Sequence, residues 1–354
     1  MERHGIGIMR RGNSTLLFGS LCTVLLASVI VTTGMGYISI PAVAVVKTIV
    51  AQLVHSPSLE QVDQTFSTII VDVRLPRILT AALVGGGLAV AGGVFQAILL
   101  NPLADPYTLG ISSGAAFGAS AAFLLAIFGL IVPLSVAVPL FAFIGALATL
   151  AAVFALSAGD ARLSSNTLIL SGVIVAAILS AAIGFMKYMA DEEVNVIIFW
   201  LMGSFTGKSW HDVLLLVAIL APGVLYCCYY ARDLNIMALG TSTADTLGID
   251  TAALRKQLLV CASLITAICV AVSGVIGFIG LIVPHMLRML VGPDNRRLLP
   301  SSFLAGAILL LLADTITRAI LPHEIPIGVL TALIGGPCFC YIFRKRQIGG
   351  RNGN

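Results

Sequence analysis

Residues 274–292 read Gly-Val-Ile-Gly-Phe-Ile-Gly-Leu-Ile-Val-Pro-His-Met-Leu-Arg-Met-Leu-Val-Gly. The stretch is apolar enough for a bilayer, yet glycines, a proline, a histidine and an arginine interrupt it. A helix facing lipid has no use for such residues, because irregular backbone at membrane depth is tolerated only where protein or a water-filled cavity satisfies its polar groups. The stretch is therefore expected to be a broken element lining a path through the membrane. That expectation requires enough spanning helices elsewhere in the chain to enclose it.

The composition supplies them. With 58% hydrophobic and 10% charged residues, the chain has too little polar surface to cover a soluble globule. At roughly 20 apolar residues per span, its 354 residues accommodate about ten helices. They are read at 16–37, 75–100, 111–131, 133–157, 167–188, 211–231, 257–278, 280–292, 301–320 and 326–343. The expected fold class is all-α: a single polytopic transmembrane domain over residues 1–354, with broken or short helices and no sizeable soluble part. An ATPase or ligand-capturing domain would have to be another chain. The cysteines, Cys22, Cys227, Cys228, Cys261, Cys269, Cys338 and Cys340, all lie in apolar runs without a Cys-x-x-Cys spacing and read as packing residues. No metal or cofactor site is expected in this chain, and a net charge of +4 carries no nucleic-acid signature.

Four polar segments flank or join the spans. The tail 1–15 precedes an apolar run too long for a signal-peptide core, so that run is taken as the first span. Residues 38–73 form an outer connection, 232–256 an inner one, and 344–354 a basic C-terminal tail. Placing both termini in the cytoplasm puts Arg3, Arg10, Arg11, Arg162, Arg232, Arg255, Lys256, Arg288, Arg296, Arg297, Arg344, Lys345, Arg346 and Arg351 inside. Lys47, Arg74, Arg77, Lys187, Lys208 and Arg318 remain outside, the bias that the positive-inside rule demands.

The connection 232–256 carries Leu239-Gly240 and Leu247-Gly248 around a Thr-Ser-Thr-Ala-Asp-Thr run. Ser242 with Asp245 reads as a capping box with an acid in place of the usual Glu or Gln. Gly248 reads as a helix terminator, and Asp250 as the cap of a second helix running into Arg255. Two short helices joined tightly make a rigid knob at the membrane surface; the plain alternative is loop filler.

Small residues recur every fourth position at Gly85, Ala89 and Gly93, and again at Gly114, Gly118 and Ala122, a pattern that lets helices approach closely in lipid. Residues 110–114 match Gly-x-Ser-x-Gly on paper, but a nucleophile elbow needs a preceding strand and acid and histidine partners, so a small packing face is preferred. Gly92, Pro102 and Gly110 share their spacing with Gly274, Pro284 and Gly292 at an offset of 182, read from the numbering. Five spans lie between the two sets, so the echo reads as an inverted repeat with breaks at corresponding places.

The residues also carry a family resemblance. It rests on Arg74-Leu75-Pro76-Arg77, Gly93-Val94-Phe95-Gln96, Asn101-Pro102-Leu103-Ala104-Asp105-Pro106 with Leu109-Gly110, the run from Gly277 through Gly280, Pro284 and His285 to Arg288, and the run from Glu324 to Pro337. In this order the chain, from about residue 16 to 346, resembles the permease subunit of bacterial ABC importers for iron-siderophores, haem and cobalamin, the FecCD type. The resemblance implies a ten-helix inner-membrane subunit paired with a second copy or a paralogue. Two cytoplasmic ATPase subunits, which bind ATP and Mg, and an external substrate-binding protein complete such importers. The knob, with Leu239, Gly240, Ser242, Asp245, Leu247, Gly248, Asp250 and Arg255, would seat on the ATPase. Arg74 and Arg318 would pair with acids of the binding protein.

Several assignments stay open at this level. Arg77 reads as an interfacial anchor that snorkels. Asn101, Pro102, Gly277, Gly280, Pro284, His285 and Arg288 mark helix breaks or the path, with a structural role for His285 and Arg288 equally open. Asp314, an acid deep in an apolar run, calls for a partner, and Arg318, one turn on, is the expected one. The expected function is ATP-driven import of an iron(III)-siderophore or related chelate, with haem and cobalamin as alternatives. The rivals are an ion-coupled secondary transporter relying on Asp314 and, more distantly, an intramembrane hydrolase relying on residues 110–114.

Overall fold

A computed structural model of the chain describes residues 11–36, 38–54, 64–129, 133–160, 163–320 and 323–351. Arg3, Arg10, Arg162 and residues 55–63 of the outer connection lie outside the described residues, as do the side chains of Arg11, Lys345, Arg346 and Arg351. The described residues are predominantly helical, with no strand among them. In order they form α1 (Arg11–Gly34), α2 (Ala42–Val54), α3 (Gln64–Thr68), α4 (Leu75–Ile98), α5 (Ile111–Ile127), α6 (Leu134–Leu156), α7 (Ser165–Met189) and α8 (Val194–Leu201). There follow α9 (Trp210–Tyr229), α10 (Ala231–Met237), α11 (Thr241–Thr246), α12 (Thr251–Ser273), α13 (Ile279–Val291), α14 (Asn295–Thr315) and α15 (Ile327–Arg351). A π-helical turn, Ile69–Arg74, joins α3 to α4, and another, Ile316–Ile320, extends α14.

Among the described residues, seven helices are long and apolar enough to cross a membrane: Leu16–Gly34, Thr65–Ile98, Leu134–Leu156, Ser165–Met189, Trp210–Tyr229, Thr251–Ser273 and Asn295–Ile320. Ile111–Ile127, Ile279–Val291 and Ile327–Tyr341 are apolar but shorter. The shortness of α13 has a physical reading. Its 13 residues reach only about 20 Å at 1.5 Å per residue, against a hydrocarbon core of about 30 Å. The non-helical stretch 274–278 makes up the difference by dipping inward until Gly280 lies against Leu88 and Gly92, well inside α4.

The core is built around α4 and α12, which are buried nearly all round, while α7 and α9 lie at the periphery. Lipid offers no hydrophobic drive between helices, so close backbone approach has to supply the packing energy. A Cβ on Gly85 would fall 2.2 Å from Gly306 O, and one on Gly306 would fall 2.4 Å from Gly85 O. Only paired glycines allow α4 and α14 to touch there. Ser112, in the Gly-x-Ser-x-Gly run, is buried in the first turn of α5, after a turn and not a strand, so no nucleophile elbow forms.

The three-residue echo does not mark equivalent breaks. Gly92 sits inside the uninterrupted α4, whereas Gly274 ends α12. Pro102 lies in the turn after α4, whereas Pro284 lies within α13. What does recur is coarser: a long buried helix, a non-helical segment and a short apolar helix, as α4, 99–110 and α5, and again as α12, 274–278 and α13.

Candidate functional site

The break in the organising stretch lies at 274–278, ahead of Pro284. Both ends of the break take left-handed backbone, Gly274 at φ +72° and Phe278 at +69°, and Phe278 is a residue type that reaches this region only when neighbours hold it there. Its ring packs against Gly335 of α15. The backbone around the break is satisfied from two other segments, one of which is in turn bonded by the start of α15. Ser204 N donates to Ser273 O at 2.8 Å, and the Tyr107 hydroxyl donates to Ile276 O. Gly328 N donates to Met202 O at 3.0 Å and Ile327 N to Gly203 O at 3.2 Å. The turn that delivers Tyr107 is itself pinned: Asn101 Oδ1 accepts from Leu103 N, and Asp105 Oδ1 accepts from Tyr107 N, Thr108 N and Thr108 Oγ1.

Pro284 stays inside α13 because the hydrogen bond it removes is compensated nearby. It has no N–H for Gly280 O, and its ring pushes that turn open. Gln96, buried on α4, donates Nε2 to the next carbonyl, Leu281 O, at 3.0 Å. Its Oε1 accepts from Arg288 Nη1 at 3.1 Å. Gln96 thus brings Arg288 and the proline turn together, while His285 is buried beside them. The sequence places Gln96 in the Gly93–Gln96 motif and assigns it no role, although it is the one amide in the apolar run 78–100.

The knob 239–250 is formed, with corrected capping. Gly240 and not Ser242 precedes α11, and Asp245 Oδ1 accepts from Thr251 Oγ1 at 2.7 Å instead of closing a capping box. Ser242 lies within the helix because the left-handed backbone of Gly240, at φ +113°, already makes the turn. At the other end Gly248 N returns to Asp245 O and Ile249 N to Ala244 O, the two bonds of a Schellman ending. Asp250 Oδ1 then accepts from Ala253 N at 3.0 Å and caps α12. Leu239 and Leu247 stand 69% and 63% exposed on this otherwise polar turn. Arg255 does not join them: it is 6% exposed, and Nη1 donates to Leu163 O at 2.8 Å. A second anchor that sequence reading did not find is Asn235. Its amide donates to Asp294 Oδ1 at 2.6 Å and accepts from the Asn295 backbone and side chain, both at 2.9 Å.

At the opposite end of the bundle the arginines are engaged within the chain. Arg74, 8% exposed, donates Nη1 to Thr33 O at 2.7 Å and Nη2 to Ile38 O at 2.5 Å. Arg318 donates to Met35 O and Thr32 O, both at 2.7 Å. The two guanidinium groups thus cover the carbonyl end of α1, where the helix dipole is negative. Both side chains are engaged with backbone carbonyls of this chain. Arg77 is corrected from a snorkelling anchor to the main partner of Asp314, which it meets through three hydrogen bonds of 2.7–3.2 Å. The expected partner, Arg318, stands at 3.5 Å. Arg77 also pairs with Glu324, which accepts from Thr206 Oγ1 at 2.9 Å. Burial raises the Glu324 carboxyl, but the Arg77 hydrogen bond and charge outweigh it and hold the group below its ordinary value. A cavity of about 240 Å³ opens beside these side chains, lined also by Phe199, Phe205 and Ile327. With Asp314 committed to two arginines, the acid that an ion-coupled mechanism would need is already paired. Among the described residues no cluster of three metal-ligating side chains occurs.

Comparison with known proteins gives the arrangement a context. The sequence profile of the FecCD transport family matches residues 23–345. A cobalamin import system permease protein from Halobacterium salinarum is 42% identical over 287 residues, covering 81% of this chain and 76% of that one. A molybdate import system permease protein from Haemophilus influenzae is 38% identical over 343 residues, covering 95% and 97%. Among solved structures, the inward-facing conformation of a metal-chelate type ABC transporter superposes with a TM-score of 0.80 at 35% identity, covering 94% of this chain and 99% of that one.

Proposed function

The chain belongs to the FecCD transport family, a family of membrane permease subunits of ABC importers, and on that premise we propose that its cargo is an iron(III)-siderophore or a related metal chelate handed over by a substrate-binding protein. The cargo path lies between this subunit and a second copy or a paralogue. Two ATPase subunits hold the ATP and Mg and perform the hydrolysis, while this chain performs no bond chemistry. It sits in the bacterial inner membrane with both termini and the knob 239–250 in the cytoplasm. The observation that carries the coupling role is the pair of exposed leucines, Leu239 and Leu247, on a polar turn braced at Asn235 and Thr251. An apolar surface held rigid outside the spans is suited to a partner's groove. Cobalamin is the second reading of the cargo, favoured by the relative that shares 42% of aligned residues; haem stays with it as the third member of the chelate class.

The test is co-purification from membranes with candidate ATPase and binding-protein chains, comparing the native chain with Leu247→Arg and Gly248→Pro. Loss of the ATPase from both variants, with the helical content retained, supports the reading. An ATPase that stays bound to both variants sinks it.

A further inference from the structure

Arg255 sits one turn inside α12 and is buried, whereas Leu239 and Leu247 stand exposed. Its acceptor, Leu163 O, belongs to the link between α6 and α7. Leu163 holds φ at +47°, a left-handed conformation that a bulky residue keeps only where its surroundings over-determine it. The other brace on that link is Asp160. Its Oδ2 accepts from Ser164 N at 2.9 Å and from Thr167 Oγ1 at 3.0 Å, and its charge acts on Arg255. Ser164 caps α7 by accepting from Thr167 N. The first turns of α7 then lean on the turn that carries Tyr107, so closely that a Cβ on Gly172 would fall 2.5 Å from Thr108 O. Tyr107 in turn holds Ile276 O at the break.

These contacts form one unbroken series, from α11 through the Asp245–Thr251 bond, Arg255, Leu163 and α7 to the break in the membrane. We infer that Arg255 is a positioning residue that carries displacement of the knob 239–250 to the N-terminus of α7. The inference rests on the reading of that knob as the seat of an ATPase. An arginine suits the position because its planar fork can hold a carbonyl while facing a carboxylate, which a point charge on a flexible stem does not do. The strained Leu163 keeps the link taut, so a movement at one end is delivered and not absorbed.

Hydrogen–deuterium exchange of the assembled complex in lipid, with and without ATP and vanadate, separates the possibilities. In the native complex, nucleotide is expected to change exchange by about fivefold in both the 239–250 and the 163–175 peptides. In Arg255→Gln the response at 239–250 stays and the response at 163–175 falls to under about twofold. A response that persists at 163–175 in Arg255→Gln overturns the inference while leaving the ATPase seat intact. No response at 239–250 in the native complex fails the seat itself, and the inference with it. Leu163→Gly, which adopts φ +47° without strain and keeps Arg255, decides the matter where Arg255→Gln fails to assemble: loss of the 163–175 response supports the tie, and a native response sinks it.

Discussion

Arg77 and Asp314 lie 237 positions apart, yet Arg77 Nη2 meets Asp314 Oδ1 at 2.7 Å while Nε bridges both carboxylate oxygens. The Asp314 side chain is 2% exposed, so removing it leaves Arg77 and Arg318 facing each other without their shared counter-charge. Asp314→Ala is expected to lower stability by about 3–5 kcal/mol, read as the unfolding midpoint in detergent, with Asp314→Asn milder because the amide still accepts hydrogen bonds. A midpoint unchanged in Asp314→Ala shows the pair to be dispensable.

Glu324 adds a pH dependence whose sign follows from its position. Its carboxyl titrates below its ordinary value of 4.5 in the folded chain, so the stabilisation it contributes is complete at neutral pH. It is lost as the pH falls through the lowered folded value. Below about pH 4.5 the native chain is expected to lose thermal stability more steeply than Glu324→Gln. Parallel acid limbs for the two proteins contradict the assignment.

The pairing of Gln96 with the proline turn predicts an interaction energy. Gln96→Leu removes the bonds to Leu281 O and Arg288 and is expected to cost about 1–3 kcal/mol. In a Pro284→Ala background, where helical hydrogen bonding across that turn is restored, the same change costs less. A double-mutant cycle on unfolding midpoints measures the difference, and strict additivity rules out the compensation.

The glycine contact between α4 and α14 predicts a contrast between two substitutions of the same kind. Gly306→Ala forces the helices apart and is expected to cost about 1–3 kcal/mol. Gly184→Ala on α7, where nothing lies within 4 Å of the added carbon, is expected to be neutral or stabilising by up to about 1 kcal/mol. Equal effects at the two sites show that the Gly85–Gly306 approach is not what holds these helices.

The spans, the knob and the broken stretch were legible because bilayer thickness and unsatisfied backbone leave a chain few choices, and both act locally along the sequence. Partners across helices were not. Helical spacing offers Arg318 to Asp314, one turn away, whereas Arg77 reaches it only because Gly85 and Gly306 bring α4 against α14. Pro284 reads as a break until Gln96, from a helix far back in the chain, is seen beside it. Arg255 belongs to the same class: its place in a polar segment points outward, but its acceptor is a carbonyl 92 residues earlier.

Segments that complete one another's backbone cannot be changed independently. The turn carrying Tyr107, the residues around Gly203, the break after Ser273 and the start of α15 supply each other's donors and acceptors, and small residues at 203, 274 and 328 leave the room for it. A hybrid spliced from two related chains has to draw all four from one parent, though they are scattered over more than half of the sequence.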